Sequence, residues 1–194
     1  MQIQNRITLA SSSPRRKALL EEAGLTFSIC PADIDEDIRK GESPREHTIR
    51  LAEEKAQVVA KKTNDSWIIG ADTIVFIDNQ ILGKPSDINE ARKMLNLISG
   101  RYHTVVTAFC ILNVSTGKTV KKAVESKVKI KKLADKEIED YLKTGEPLDK
   151  AGAYAVQGVG NFMIEEIGGS YTNVVGLPME ELKDALKKVG IVKM

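Results

Sequence analysis

The sequence predicts an α/β protein built on a mixed sheet. Strand-type and helix-type segments alternate along the 194 residues, which is the pattern of crossover-connected layers. Helix-type segments open on capping residues at Ser13 and Ser43, and two of them close on glycines, Gly24 and Gly100. Two long strand-type segments also follow each other across one tight turn, and a hairpin among crossovers makes the sheet mixed, not purely parallel.

Ile7-Thr8-Leu9-Ala10 reads as a short strand running into Ser11-Ser12-Ser13-Pro14. There Ser13 caps a helix whose first position Pro14 tolerates, and the helix stops at Gly24. Phe27 to Cys30 reads as a strand, followed by the acidic loop Asp33-Ile34-Asp35-Glu36-Asp37. Ser43-Pro44-Arg45-Glu46 is a capping box opening a helix of about 20 residues, with Leu51, Ala52, Ala56 and Val59 at helical spacing. Trp67 to Ile77 is a buried-type strand; Asp78-Asn79-Gln80 is a turn before Ile81-Leu82 and the Gly83-Lys84-Pro85 break. A helix spans Asp87 to Ser99 and ends at Gly100. Strands His103–Val114 and Thr119–Ile130 flank the turn Ser115-Thr116-Gly117-Lys118. In the second of these, Val120, Val124, Val128 and Ile130 share one parity while Lys121, Lys127, Lys129 and Lys131 share the other, a core face against a wet face. A short helix near Asp135–Lys143, further strand-like segments and a last helix from Pro178 complete the chain. No repeat or linker divides it, so residues 1–194 read as one domain.

Composition narrows the function classes. With 29 basic and 27 acidic residues the net charge is +2, too balanced for a protein that coats nucleic acid. Two cysteines, Cys30 and Cys110, cannot form a disulfide framework, and they read as core thiols. No signal-type segment opens the sequence, and the apolar run at Trp67–Ile77 is too short to span a bilayer. The expectation is a cytoplasmic protein without membrane or stable nucleic-acid partners. Any phosphate it meets must be held by a few placed cations.

Ser11, Ser13, Arg15 and Arg16 form the first candidate site. A strand-to-helix junction offers free N–H groups and hydroxyls, and two arginines in the first turn oppose the helix dipole unless an anion binds there. The plainer alternative is a capped helix with two solvated arginines. Asp72, in Gly70-Ala71-Asp72-Thr73, puts a carboxylate inside an apolar strand. It either caps a break at Gly70 or serves as a metal-ligating or water-activating group. The acidic run around Glu36 is either a solvated face or a second carboxylate opposite Asp72, which together would suit a hard divalent cation. Lys55 on its helix is ordinarily surface, whereas Lys84 is held on a stiff loop between Gly83 and Pro85. Lys84 is not a Walker lysine, since Asp78 stands where the motif needs glycine. Gln157, in Tyr154-Ala155-Val156-Gln157-Gly158, is a further polar candidate. His47 and His103 fit no zinc spacing and read as surface or loop residues.

Taken in order, Leu9-Ala10-Ser11-Ser12-Ser13-Pro14-Arg15-Arg16, Glu54-Lys55-Ala56, Gly70-Ala71-Asp72-Thr73, Gly83-Lys84-Pro85, Leu97-Ile98-Ser99-Gly100, Asp149-Lys150-Ala151-Gly152-Ala153-Tyr154 and Gly176-Leu177-Pro178 resemble the Maf family of nucleoside triphosphate pyrophosphatases. The resemblance runs from about residue 7 to 180; each motif alone is weak, and the ordered set is specific. It implies an elongated mixed sheet flanked by helices, with two lobes around a central cleft, as in inosine-triphosphate pyrophosphatases. It also implies hydrolysis between the α- and β-phosphates with the help of Mg²⁺ or Mn²⁺, and a homodimer. Ala71-Asp72-Thr73 and Gln157 match the branch acting on dTTP and UTP. The 7-methyl-GTP branch typically carries Ser-Asp-Gln, and a Glu near the Gln157 position. By this resemblance Asp72 is the proton acceptor, and Arg15, Thr73 and Gln157 select substrate. Ala155 and Ser12 depart from commoner family residues without removing a catalytic group.

The expected mechanism follows. Glu36 and Asp72 help hold the metal, while Asp72 also orients or deprotonates water; coordination lowers basicity, so ligand and full-strength base are alternative roles for Asp72 that the sequence does not decide between. Arg15, Arg16, Lys55 and Lys84 neutralise phosphate charge, the Ser11 and Ser13 groups position it, and Thr73 and Gln157 read the pyrimidine. Modified pyrimidine nucleotides, a house-cleaning role and a link to cell-division arrest belong to the same expectation. The alternatives are a nucleotide-binding regulator without turnover and a pyrophosphatase for purine or 7-methyl-GTP substrates.

Overall fold

A computed structural model describes residues 6–192 of the chain. The chain forms two compact units. Of the described residues, the first comprises 6–72, Thr107–Val124 and 176–192; the second comprises Thr73–Val106 and Glu125–Val175. The strands make one seven-stranded mixed sheet, in the order β2 (Ser28–Ile29), β1 (Ile7–Leu9), β3 (Trp67–Ile77), β5 (Tyr102–Asn113), β6 (Thr119–Ile130) and β7 (Ile164–Gly168), with β4 (Gln80–Leu82) paired to β3.

In the first unit, β1 (Ile7–Leu9) lies parallel to both β2 (Ser28–Ile29) and the start of β3 (Trp67–Ile77), with Thr8 opposite Ser28 and Ile68. Helix α1 (Pro14–Glu22) starts where the sequence predicts, with Ser13 as its cap, and the chain leaves it through Gly24 at φ 73°. Helix α2 (Pro44–Ala60) has 17 residues and a complete capping box between Ser43 and Glu46. Its buried residues are His47, Thr48, Leu51, Ala52, Lys55, Ala56 and Val59. These lie on one stripe at helical spacing, so the face turned inward carries a histidine, a threonine and a lysine among its small and apolar side chains.

In the second unit, Asp78 and Asn79 both take positive φ (49° and 61°) and turn β3 back into β4 (Gln80–Leu82), with Ile77 opposite Gln80. Two short polar residues tolerate that conformation, which a tight hairpin requires. Asp87 caps α3 (Ile88–Ile98) by accepting a 2.8 Å bond from the Glu90 amide. Helix α4 spans Asp135–Lys143, as its sequence predicts. A run of 3-10 turns follows before β7 (Ile164–Gly168), which pairs antiparallel with β6. The core of this unit gathers Val75, Leu95, Ile98, Val128, Ile130, Tyr141 and Met163.

Strands β5 (Tyr102–Asn113) and β6 (Thr119–Ile130) contribute residues to each unit, as does β3. The expected alternation of β6 holds for its second stretch only, where Ser126, Val128 and Ile130 are buried between exposed Glu125 and Lys127 and half-buried Lys129. In its first stretch Ala123 is the buried residue, on the opposite parity, and Val120 and Val124 are half-exposed. The valine pattern therefore misplaces the inward face there. Helix α5 (Tyr171–Val175), one turn long, has no signal in the sequence; α6 (Met179–Lys188) begins just after Pro178.

His47 and His103 are both 3% exposed, against the surface positions expected of them. Cys110 is buried, while Cys30 is half-exposed at the end of β2, so only the first fits the core-thiol reading. Among the described residues no helix is long and apolar enough to cross a membrane.

Candidate active site

The site starts from a close approach between α2 and β3. A Cβ placed on Gly70 would lie 2.1 Å from the Ala52 carbonyl oxygen and 2.9 Å from the Ala56 amide nitrogen. Only glycine lets the helix backbone come this near, and the small residues on the facing side of α2 complete the fit. Two residues past Gly70 on β3 is Asp72; three past Ala52 on α2 is Lys55. The close approach therefore brings a lysine from the inward stripe of a helix onto a carboxylate in the middle of a strand.

Lys55 Nζ is 2.7 Å from Asp72 Oδ1 and 2.6 Å from Glu36 Oε1. Its side chain is 9% exposed and that of Asp72 8%, whereas Glu36 is 49% exposed. A buried ion pair of this kind needs geometry and further hydrogen bonds to offset its desolvation. Here one ammonium is shared by two carboxylates, one shielded and one facing water. The alternative in which Asp72 caps a break is not what forms: β3 runs unbroken through it.

The serine-arginine segment is braced by its own side chains. Ser13 caps α1 through a 3.4 Å bond from the Arg16 amide, and Ser11 Oγ accepts from the Ser13 amide at 3.2 Å. Arg16 extends across the unit: Nε donates to the Gly176 carbonyl (2.8 Å), and Nη1 donates to the Ala71 carbonyl (3.0 Å) and to Ser11 Oγ (3.1 Å). Two of its nitrogens thus tie α1 to the strand next to Asp72 and to the chain leading into α6. Burial pulls its pKa below the ordinary value; the Asp72 charge opposes that shift and neighbouring Arg15 adds to it. Arg16 is a brace at this site, a different use from the solvated cation of the plainer sequence reading. Arg15 is half-buried in the first turn of α1.

Within the first unit, Ser11, Ser13 and Arg16 form one directly bonded group and Lys55, Glu36 and Asp72 another, and Arg16 links the two through the carbonyl of Ala71, the residue before Asp72. Thr73, Lys84 and Gln157 belong to the second unit. Thr73 follows Asp72 on β3 and is half-buried, while Lys84 and Gln157 are exposed. The Gly83 carbonyl accepts from the Gly152 amide at 3.0 Å, which fastens the loop of Lys84 to the Gly152 turn. Gly152 has φ 68°, and a Cβ there would meet Val75 Cγ2 at 2.8 Å. Beyond Gln157 the chain is held by Glu146, whose carboxylate accepts from the amides of Val159 (3.2 Å) and Gly160 (2.8 Å).

Sequence reasoning missed the close approach at Gly70. A glycine inside an apolar strand is a signal for close backbone approach, and the period of α2 places Lys55 four residues from both Leu51 and Val59, on the buried stripe.

Sheet and site together define a mixed α/β protein whose first unit sets a shielded carboxylate–lysine pair beside a capped, arginine-braced helix start. The family model for Maf-like proteins matches residues 6–189, across both units, and the chain belongs to the Maf family. It is 52% identical over 184 residues to a protein of Citrifermentans bemidjiense named dTTP/UTP pyrophosphatase, with 95% of each chain covered. Proteins of the same name from Clostridioides difficile (51% over 182 residues, 94% of each chain) and Geotalea uraniireducens (47% over 193 residues, each chain covered in full) are similarly related.

Proposed function

We propose that the protein is a nucleoside triphosphate pyrophosphatase acting on dTTP and UTP. Water attacks the α-phosphorus, the bond to the bridging oxygen breaks, and the products are the nucleoside monophosphate and pyrophosphate. The observation that carries this reading is the shared ammonium of Lys55 between Asp72 and Glu36, in a chain about half identical to relatives bearing that activity in their names.

Asp72, shielded and hydrogen-bonded at one oxygen, has a second oxygen that serves either as a metal ligand or as the base that orients the attacking water and takes its proton, since coordination lowers its basicity. Lys55 holds Asp72 in place and supplies fixed positive charge near the developing phosphate charge. Ser11 and Ser13 shape the anion-facing turn, and Arg15 contributes a forked donor. Arg16 acts mainly through that turn, by holding it against β3. Lys84 as a further phosphate cation, and Thr73 and Gln157 as pyrimidine-selecting residues, rest on their place in the family motifs.

A divalent cation fits the donor set. Glu36 and Asp72 reach the same ammonium, so their oxygens lie within a few ångströms of each other, and each has an oxygen beyond the one on Lys55. Among the described residues no group of three or more His, Cys, Asp or Glu could hold an ion; Mg²⁺ is commonly held by one or two carboxylates plus substrate phosphates. Glu36 and Asp72 would hold Mg²⁺ or Mn²⁺, which when bound neutralises phosphate charge. A homodimer and a cytoplasmic location are part of the proposal; the free thiols Cys30 and Cys110 suit a reducing compartment.

The test is pyrophosphate release from dTTP, UTP, CTP, ITP and 7-methyl-GTP with Mg²⁺ or Mn²⁺. Release from dTTP and UTP, abolished in a folded Asp72→Asn variant, supports the proposal. Release from none, or only from ITP or 7-methyl-GTP, overturns it, as does near-normal kcat in Asp72→Asn.

A further inference from the structure

Glu36 stands in the middle of residues 31–43, a stretch with neither helix nor strand and mostly exposed. A carboxylate that must face Lys55 from such a loop needs the loop itself to be held, because a loop of this length has many conformations and little intrinsic preference among them. The fastening is visible. Arg50, on α2, donates from Nε to Glu42 Oε1 (2.6 Å), from Nη2 to Glu42 Oε2 (2.9 Å), and from Nη2 to the Asp37 carbonyl (3.0 Å). Its Nη1 reaches Glu54 Oε2 at 3.2 Å, and Glu54 Oε1 accepts from Arg39 of the same loop at 2.9 Å. His47 Nδ1 lies 3.0 Å from Glu42 Oε2. The Arg50 and Glu42 side chains are only 13% and 10% exposed, so the bonds between them are shielded from the competition that weakens surface pairs, while the bonds to the Asp37 carbonyl and from Arg39 lie at the exposed side of the network.

One guanidinium thus holds the backbone one residue past Glu36 and also the carboxylate where the loop rejoins the helix. It stands five residues before Lys55 on that helix. We infer that Arg50 is a positioning residue for Glu36, fixing the loop so that the Glu36 carboxylate meets Lys55 and Asp72. This rests on the proposed function only in what Glu36 then does. A planar fork is needed because three acceptors in different directions are served by one group, and an ammonium at the same place lacks that geometry. The plain alternative is that the network merely stabilises the start of α2.

The two separate in a double-variant cycle on Arg50→Lys and Glu36→Gln, each alone and together, with dTTP hydrolysis, Mn²⁺ binding without nucleotide, and amide hydrogen exchange as readouts. If Arg50 acts through Glu36, Arg50→Lys lowers kcat/KM roughly 10- to 100-fold, the loss usual when a group supporting a ligand or catalytic residue is removed. Mn²⁺ binding weakens to a similar degree. Exchange at residues 35–40 accelerates while residues 51–56 stay protected, and the double variant is no worse than Glu36→Gln alone. Losses that add in the double variant, or loop exchange equal to the parent's, overturn the inference. Should Arg50→Lys fail to fold, Glu42→Gln enters the same cycle, because it weakens the fork while keeping the side chain's volume. Should the parent protein hydrolyse no dTTP, the proposed function fails, and Mn²⁺ binding and exchange still decide whether Arg50 holds the Glu36 loop.

Discussion

Replacing Lys55 with methionine tests the physical basis of the site most directly. Methionine keeps most of the stem's volume and removes the charge. The two arms of the ion cluster are unequal. Glu36 is 49% exposed, and water replaces the lost ammonium there at a cost of about 0–1 kcal/mol. Asp72, at 8% exposure and 2.7 Å from the nitrogen, is left as a shielded charge without its counter-ion, a loss of about 3–5 kcal/mol. The expected fall in stability is therefore about 4 kcal/mol, or roughly 10 °C in Tm for a chain of this length. Adding Asp72→Asn should recover most of it, since the stranded charge is then gone. Urea denaturation followed by circular dichroism measures all four species of the cycle. A single-variant loss below about 1 kcal/mol would refute the reasoning. So would a double variant that loses the sum of the two single effects.

Gly70→Ala should destabilise by about 1–3 kcal/mol or more, because the contact is with backbone that cannot swing aside; it should also lower kcat by moving Lys55 off Asp72. A thermal melt and turnover both at parent values would argue against the close-approach account. His103, whose pKa burial lowers from 6.5 to about 4, stays neutral in the fold while the unfolded chain takes up a proton. Its contribution is full above about pH 6.5 and is lost as pH falls toward 4, by at most about 1.4 kcal/mol per pH unit. His103→Gln should flatten the stability profile in that window, and an unchanged slope would count against burial of a neutral imidazole. Glu42 is held down from 4.5 to about 2, first by its hydrogen bond to Arg50. Its contribution is present above pH 4.5 and lost as pH falls toward 2. Glu42→Gln should cost about 2 kcal/mol at pH 7, and the gap should narrow from pH 5 to 3 in urea titrations; a constant gap would contradict this.

Local chemistry made most elements legible. Ser13-Pro14, Ser43-Pro44 and Asp87 fix helix starts because a capping oxygen and a preset φ act over three or four residues. Trp67–Ile77 and Asp135–Lys143 form with the boundaries their patterns predict. The first half of β6 was misread because valines mark a face only when packing agrees, and there Ala123 is what fits beneath. Helix α5, at five residues, is too short for a period to show. At the site, Asp72 and Lys55 were legible as residue types, but their pairing depends on Gly70 meeting Ala52, a contact distant in sequence. Arg50 was invisible for the same reason: its partners, Asp37 and Glu42, are known only once the loop has folded back onto α2.

The Arg16 brace has a consequence for how the protein is made. Its acceptor at Gly176 lies 160 positions along the chain, in the last of the three stretches that compose the first unit. A growing chain has Asp72, Lys55 and Glu36 in hand long before that carbonyl leaves the ribosome. The serine-arginine turn can therefore reach its final form only near the end of synthesis, once the last stretch of the first unit has emerged.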